Sequence, residues 1–201
     1  VNFWPDLIYV SFLGNTANFV IGALVGYIGY KTACNSGLLY KFVYGQIGAY
    51  FPVLFLAVVL ICWQGIVVGA FGFAWAQDFD SFTFYAVAVF AGILFTWTTY
   101  YGVRGLELVS TPSVIILVLV GVYAAYTQIS QAGGLQDFLA LSATTAARNP
   151  ISKMDAINIV IGSWIVGAIV MPEYTRFAKK AWVAIAIPFI VMIIAQWFLQ
   201  I

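Results

Sequence analysis

Apolar residues fill long stretches of this chain, and the few charged residues stand between them. Six intervals almost free of charge follow one another, at residues 7–30, about 50–76, 81–103, 110–130, 156–175 and 181–201, and the one charged residue within them is Glu173, near the end of the fifth. A bilayer core about 30 Å thick needs about 20 apolar residues in an α-helix to cross it, and each interval reaches that length. None of the intervals alternates apolar and polar residues as the strands of a membrane β-barrel do. The pattern predicts an all-α fold: a polytopic bundle of six transmembrane helices in a single membrane domain over residues 1–201.

The composition agrees with a lipid environment. Of the 201 residues, 64% are hydrophobic and 7% are charged, whereas a soluble domain has about 25% charged residues. The lipid bilayer is therefore the first predicted partner. A net charge of +1 without a basic cluster excludes a nucleic-acid partner. The absence of histidine excludes His-based catalytic triads and most metal sites, so neither a catalytic nor a metal-binding residue is predicted.

The basic residues orient the predicted bundle. They are concentrated in the connections after the first and fifth intervals: Lys31, Lys41, Arg176, Lys179 and Lys180. By the positive-inside rule these two connections lie in the cytoplasm, and the N-terminal end of the chain lies outside. Arg148 and Lys153, in the fourth connection, lie on the opposite side and oppose this orientation. The predicted location is the plasma or inner membrane, with several passes.

Turn-forming and small residues predict the finer boundaries. Ser110-Thr111-Pro112 combines a hydroxyl cap with a proline suited to a first helical turn, which predicts the start of the fourth span. Gly133-Gly134 and Asn149-Pro150 bracket residues 131–155 as one sizeable loop. In the first span, the spacing of Gly22 and Gly26 indicates close packing against another helix.

Several motifs resemble one transporter family in their order and spacing. Residues 26–32 (GYIGYKT) and 38–45 (LLYKFVYG) resemble the first cytoplasmic connection of the nucleobase:cation symporters, in their cytosine/purine permease branch. Residues 162–164 (GSW) and 172–177 (PEYTRF) resemble that family's substrate helix and its ending. Residues 101–105 (YGVRG) and 133–135 (GGL) fall at matching points, so the similarity runs along nearly the whole chain.

The resemblance implies a secondary transporter of twelve helices. Its core is a five-plus-five inverted repeat of the leucine-transporter type, and the six spans here correspond to its second to seventh helices. The chain begins with valine and ends inside an apolar interval, so we expect it to be a fragment whose missing transmembrane helices are further partners. The first and sixth helices of such folds are broken beside the substrate, and Gly162, Ser163 and Gly167 would suit an unwound segment of the sixth.

The same resemblance assigns the predicted substrate site. Trp63 matches an aromatic residue of the third helix that stacks against the base, and Trp164 matches one of the sixth helix on the other side of the base. Gly162 and Ser163 contribute to the same site, the serine mainly through its backbone. Trp63 lies about 13 residues into its span, about 20 Å at 1.5 Å per residue, which places it near the membrane midplane. The alternative for both tryptophans is that they are packing residues.

Two positions depart from the cytosine carriers. Leu60, on the same helical face as Trp63, stands where those carriers have glutamine, and Val166 stands where they have serine. Together with Gly167, these residues are predicted to line the pocket. Since two hydrogen-bonding groups are absent, the predicted substrate is a nucleobase or related heterocycle: cytosine, a purine or another pyrimidine derivative.

The predicted function is cation-coupled import of this heterocycle by alternating access. No cofactor is expected, and the coupling ion, Na⁺ or H⁺, is expected to bind outside this chain. A channel or a structural membrane subunit fits the hydrophobicity equally well. A membrane enzyme is disfavoured because the six intervals contain no base or histidine and only one acid, Glu173, near the end of the fifth.

Overall fold

A computed structural model describes residues 1, 3–148 and 150–200, without the side chains of Phe3, Trp4 and Val103. Its α-helices, in chain order, are α1 (Ile8–Thr32), α2 (Ser36–Gly48), α3 (Tyr50–Ala76), α4 (Phe82–Tyr100), α5 (Gly102–Gln131), α6 (Leu135–Arg148), α7 (Lys153–Ile169), α8 (Pro172–Thr175), α9 (Ala181–Pro188) and α10 (Gln196–Gln200). Two π-helical segments, Phe3–Leu7 and Phe189–Ala195, precede α1 and join α9 to α10.

Six helical stretches are long and apolar enough to cross a membrane. They are Pro5–Thr32, Tyr50–Ala76, Phe82–Tyr100, Arg104–Gln131, Lys153–Thr175 and Ala181–Gln200. The prediction of an all-α polytopic bundle is confirmed. The predicted end of the last span, Ile201, lies outside the described residues. The inverted repeat, which involves helices beyond this chain, stays a prediction.

The chain forms two compact units. The larger unit comprises Val1–Tyr50 with Ala124–Ile201, and the smaller unit comprises Phe51–Tyr123. Two compact units can still fold together as one domain. The single membrane domain therefore stays a prediction.

In the larger unit, α1 is the central helix and packs against α7, α8, α9 and α10. The Asp6 carboxylate lies 2.8 Å from the Lys153 ammonium, where α1 and α7 begin. Gly29, near the end of α1, lies against Pro172, just beyond the end of α7. The two helices therefore run in the same direction, whereas the segment from α9 to α10 runs in the opposite one.

The buried face of α1 consists almost entirely of small and polar residues. They recur every three or four positions: Val10, Ser11, Gly14, Asn15, Asn18, Gly22, Gly26 and Gly29. A Cβ atom at Gly14 would lie 2.5 Å from Val160 Cγ1, and one at Gly29 would lie 2.7 Å from Pro172 Cα. The predicted close packing of α1 is confirmed. The tightest approaches, however, are at Gly14 and Gly29, since a Cβ atom at Gly22 would have no neighbour closer than 3.4 Å.

In the smaller unit, α3 and α4 form an antiparallel pair. Gly72 of α3 lies against Phe84 and Ala88 of α4, and the Phe73 and Phe79 rings stack at 4.4 Å beside the turn. None of the most apolar stretch of α3 is buried, and the same holds for α5. Exposed apolar faces of this length are stable in lipid rather than in water.

The prediction that Pro112 starts the fourth span is wrong. Helix α5 begins ten residues earlier, at Gly102, and Pro112 lies in its interior. Gly102 has a φ of +65°, so the turn between α4 and α5 uses this glycine rather than the Ser-Thr-Pro signal. The Ser113 hydroxyl donates to the Val109 carbonyl at 2.6 Å within the continuing helix. A transmembrane helix tolerates such a proline because neighbouring groups adjust to the lost backbone hydrogen bond.

The prediction that residues 131–155 form a loop is also wrong. The glycines at 133 and 134 make the expected turn, with φ of +96° and +129°, but α6 follows at once and runs to Arg148. Helix α6 contains neither glycine nor proline, and its apolar residues fall on one side, as in helices that lie at a membrane surface. The second predicted turn begins at Asn149, which lies outside the described residues.

The larger unit brings the two lysine-bearing connections to one end. The backbone N–H of Ser36, at the start of α2, donates to Glu173 Oε1 at 3.1 Å, and Glu173 directly precedes the fifth connection. The N-terminal amine donates to the Ile151 carbonyl at 3.2 Å at the opposite end. This shared end agrees with the charge pattern. That it faces the cytoplasm, with the N-terminal end outside, stays a prediction.

Thiol labelling tests this orientation. In a Cys34→Ser/Cys62→Ser background of the full-length protein, single cysteines at Asn35 and Ala178 should be protected from an impermeant thiol reagent in intact cells. A cysteine at Phe79, in the α3–α4 turn, should react because this turn is expected outside. All three should label once the cells are permeabilised, and equal labelling in intact cells would contradict the orientation.

Candidate substrate site

Five of the predicted site residues lie on α7. The Ser152 hydroxyl caps this helix: it accepts from the Asp155 N–H at 3.1 Å and donates to the Asp155 carboxylate at 2.7 Å. Helix α7 then continues without interruption to Ile169. The five predicted site residues on this helix are Gly162, Ser163, Trp164, Val166 and Gly167.

The prediction of an unwound segment at Gly162, Ser163 and Gly167 is wrong. All three lie within regular α-helix, and the interruption comes at Val170 and Met171. The physical reason is Pro172, which has no N–H to donate and whose ring collides with the carbonyl four residues earlier in a continuous helix. A glycine only permits a break in a helix, whereas a proline disfavours an uninterrupted one.

The indole of Trp164 packs along α7. It lies across Gly167, where a Cβ atom would be 2.6 Å from the ring atom Cε3. The indole also packs against the buried cluster of Ala168, Met171 and Met192, and remains half-buried. Gly167 therefore acts by leaving room for the indole. The residue as a whole stays partly exposed, and stacking against a flat ligand requires an exposed ring face.

Gly162 and Ser163 are exposed next to this indole in the sequence. No atom from outside its own stretch of helix lies within 4 Å of the position of a Cβ atom on Gly162, so this side of α7 is open there, while the backbone N–H and C=O of Gly162 belong to the regular helix. The Ser163 hydroxyl donates to the Val160 carbonyl at 2.8 Å. Since this proton is already engaged, the hydroxyl oxygen remains free to accept a hydrogen bond from a ligand.

A residue that the sequence analysis missed lies behind this segment. Asn18 of α1 is fully buried, and its side-chain amide donates to the carbonyls of Val160 and Ile161, each at 3.4 Å. A signal was present in the sequence, because Asn18 is a polar residue in an apolar span and lies one turn after Gly14. The partner of this amide could not be read from that signal.

Trp63 and Leu60 lie in the smaller unit. Trp63 is at the midpoint of the 27-residue helix α3 and is 48% exposed, and its depth in the membrane stays a prediction. Leu60 lies three residues earlier on the same face and is 45% exposed. Trp164 belongs to the larger unit. The stacking of one base between Trp63 and Trp164 stays a prediction.

The end of the Lys153–Thr175 span is tied to α1 and α2. The buried Thr175 hydroxyl donates to the Gly26 carbonyl at 2.8 Å. Beside it, the Glu173 carboxylate accepts the Ser36 N–H at the start of α2, where a helix favours negative charge. Burial raises the pKa of the Tyr40 hydroxyl, and neighbouring Tyr44 and Glu173 raise it further. These contacts hold the residues 172–177, which motivated the family resemblance, against two other helices.

The described residues contain no group of three or more His, Cys, Asp or Glu side chains that could hold a metal ion. A groove of about 710 Å³ lies in the smaller unit along α4. Its lining is mostly apolar: Val89, Gly92, Ile93, Thr96, Trp97, Tyr100 and Tyr101. None of the predicted site residues belongs to it.

Comparison with curated proteins finds three relatives that are all named cytosine permease. The chain is 27% identical over 184 residues to the cytosine permeases of Escherichia coli strain K12, strain O6:H1 and strain O157:H7. The match covers 92% of this chain and 43% of each relative, so the chain spans less than half the length of the curated proteins it matches. No protein-family profile matches the chain.

These relatives are named as permeases, and the match covers nearly the whole of this chain, as the resemblance in its motifs does. The six apolar helices provide the membrane passes that such a protein requires. The chain is a multi-pass membrane protein homologous to the cytosine permeases.

Proposed function

We propose that this chain is part of a secondary active transporter that imports a nucleobase or a related heterocycle, coupled to a cation and working by alternating access. The match to the three cytosine permeases along 92% of the chain is the observation that carries the proposal. The partly exposed Trp164 and the acceptor oxygen of the exposed Ser163 hydroxyl support it, because a flat heterocycle stacks on an aromatic ring and hydrogen-bonds to exposed polar groups.

The proposed site comprises Trp63, Gly162, Ser163 and Trp164, with Leu60, Val166 and Gly167 at its border. The relatives are named for cytosine, and cytosine is the first substrate to test. Leu60 and Val166 offer no hydrogen bonds, so a purine or another pyrimidine derivative is the second. A site with fewer hydrogen-bonding groups discriminates less strongly between heterocycles that differ in their donors and acceptors.

The coupling ion in this proposal is Na⁺ or H⁺, bound by helices outside this chain. Apart from Glu173, near the end of the fifth interval, the six intervals contain no Asp, Glu or His for a proton relay, which suits a neutral substrate. The transporter lies in the plasma or inner membrane with the N-terminal end of this chain outside. Further transmembrane helices complete the pocket.

Uptake by the full-length protein tests the proposal. Cells that lack nucleobase uptake and express the protein should accumulate radiolabelled cytosine, a purine or a pyrimidine derivative in a saturable way. Unlabelled ligand should compete, and collapse of the Na⁺ or the proton gradient should abolish accumulation and identify the ion. Leu60→Gln should shift the preference toward cytosine, because it restores an amide on the Trp63 face.

Three outcomes would contradict parts of this proposal. The 201-residue chain expressed alone should give no uptake, so saturable uptake by this piece would contradict a pocket completed by other helices. If the full-length protein takes up every heterocycle without saturation, the alternative of a channel is favoured. If it takes up none, a structural membrane subunit is favoured.

A further inference from the structure

The buried amide of Asn18 contacts the main chain of α7 immediately before the proposed substrate segment. Its Nδ2 atom lies 3.4 Å from the carbonyl oxygens of both Val160 and Ile161, and the next residue is Gly162. Asn18 and these carbonyls are separated by more than 140 residues along the chain. The contact is therefore a tertiary one, made between two membrane-spanning helices.

Gly14 makes this contact possible. It lies one turn before Asn18 on the same face of α1, and a Cβ atom there would lie 2.5 Å from Val160 Cγ1 and 2.7 Å from Val160 Cβ. The two helices thus approach closely at Val160. A short side chain such as asparagine can then reach the backbone of the neighbouring helix.

The Asn18 side chain contacts α7 through the N–H groups of its amide, and not through its oxygen. Asn18 Oδ1 is buried and has no hydrogen-bond partner among the described residues. An unpaired carbonyl in an apolar interior is unfavourable, so an apolar side chain would fill this space at lower cost. The two carbonyl oxygens can only accept, which fixes the amide nitrogen toward α7.

One acceptor links Asn18 to the proposed site. The Val160 carbonyl receives the Asn18 amide and also the Ser163 hydroxyl, at 2.8 Å. A displacement of this carbonyl therefore moves the serine, and Trp164 follows directly in the same helix.

We propose that Asn18 is a positioning residue of the substrate site: it holds the α7 backbone at residues 160 and 161 and thereby sets the positions of Ser163 and Trp164 against the substrate. This inference rests on the proposed function. Asn18 itself does not touch the substrate in this assignment, and acts only through α7.

Asn15 offers a matched control. It is an equally buried asparagine on the same face of α1, and its Oδ1 also lacks a partner among the described residues. Its amide donates instead to Gln200 Oε1 in α10, at 2.9 Å. Loss of Asn15 therefore removes the same kind of group together with a hydrogen bond to α10, in place of the hydrogen bonds to α7.

The experiment compares these two positions in the full-length protein purified in detergent. Asn18→Ala should weaken binding of the preferred heterocycle about 5- to 30-fold, as expected for the loss of one or two hydrogen bonds at a buried site. Asn15→Ala should bind within about twofold of wild type, although both variants lower the melting temperature. Dissociation constants are measured by equilibrium binding on folded protein, and melting temperatures are measured separately.

A second pair of variants separates positioning from folding. Asn18→Leu and Asn15→Leu remove the donor and the unpaired oxygen together, so stability should change little. Asn18→Leu should still weaken binding, whereas Asn15→Leu should not. If the Asn18 variants bind as wild type does, or if both positions lose affinity equally, the positioning role is overturned. If wild type binds no heterocycle, the proposed function itself fails, and the inference fails with it.

Discussion

Gly29→Ala is expected to lower the free energy of unfolding of the full-length protein by about 1 to 3 kcal/mol, the usual cost of overpacking a close contact. The new Cβ atom would lie 2.7 Å from Pro172 Cα and 2.8 Å from Pro172 Cβ. Neither atom can move aside by a simple rotation, because the first belongs to the backbone and the second to a closed ring. The end of α1 must therefore separate from α8, and the loss is measured as a lower melting temperature in detergent.

Gly22→Ala is the control for this prediction. Gly22 lies on the same face of the same helix, but its nearest neighbours would be 3.4 Å from a new Cβ atom, an ordinary contact distance. Because alanine favours a helix over glycine by about 1 kcal/mol, this variant should keep or raise the melting temperature. Equal melting temperatures for the two variants would contradict the close approach at Gly29.

Trp63→Ala and Trp164→Ala are each expected to weaken binding of the heterocycle about 5- to 150-fold. This range corresponds to the 1 to 3 kcal/mol, approximately, that base stacking on an aromatic side chain contributes in nucleic-acid binding proteins. Trp63→Phe and Trp164→Phe should lose much less, since an aromatic face remains. Equilibrium binding of a panel of nucleobases to the full-length protein is the measurement.

The two tryptophans should differ in their effect on stability. Trp164 packs against the Met171 and Met192 cluster, so its removal should also lower the melting temperature, whereas removal of the half-exposed Trp63 should not. Trp75→Ala is a suitable control for binding, because Trp75 lies on the same helix as Trp63 and is 69% exposed. If both alanine variants bind every ligand as wild type does, the tryptophans are packing residues and the proposed stacking is wrong.

The membrane passes could be predicted from the sequence because their cause is local. A bilayer requires about 20 consecutive apolar residues wherever a helix crosses it, and this requirement does not depend on neighbouring helices. The boundaries were less predictable. The Ser-Thr-Pro signal at 110–112 indicated a helix start, but Gly102 supplied the turn and α5 continued through Pro112. A Ser-Thr-Pro sequence can lie at the start of a helix or inside it, and only the position of the preceding turn decides between the two.

The sequence alone determined that this chain forms six helices long and apolar enough to cross a membrane, and its motifs indicated the segment around Trp164 as the candidate site. The tertiary structure alone decided what supports that segment: Gly14 of α1 lies against Val160, and the Asn18 amide donates to the carbonyls of Val160 and Ile161. Every residue of α7 has a backbone carbonyl, so a polar side chain in α1 does not by itself indicate which one it binds. Only the packing of α1 against α7, set by residues more than 140 positions apart, selects that partner.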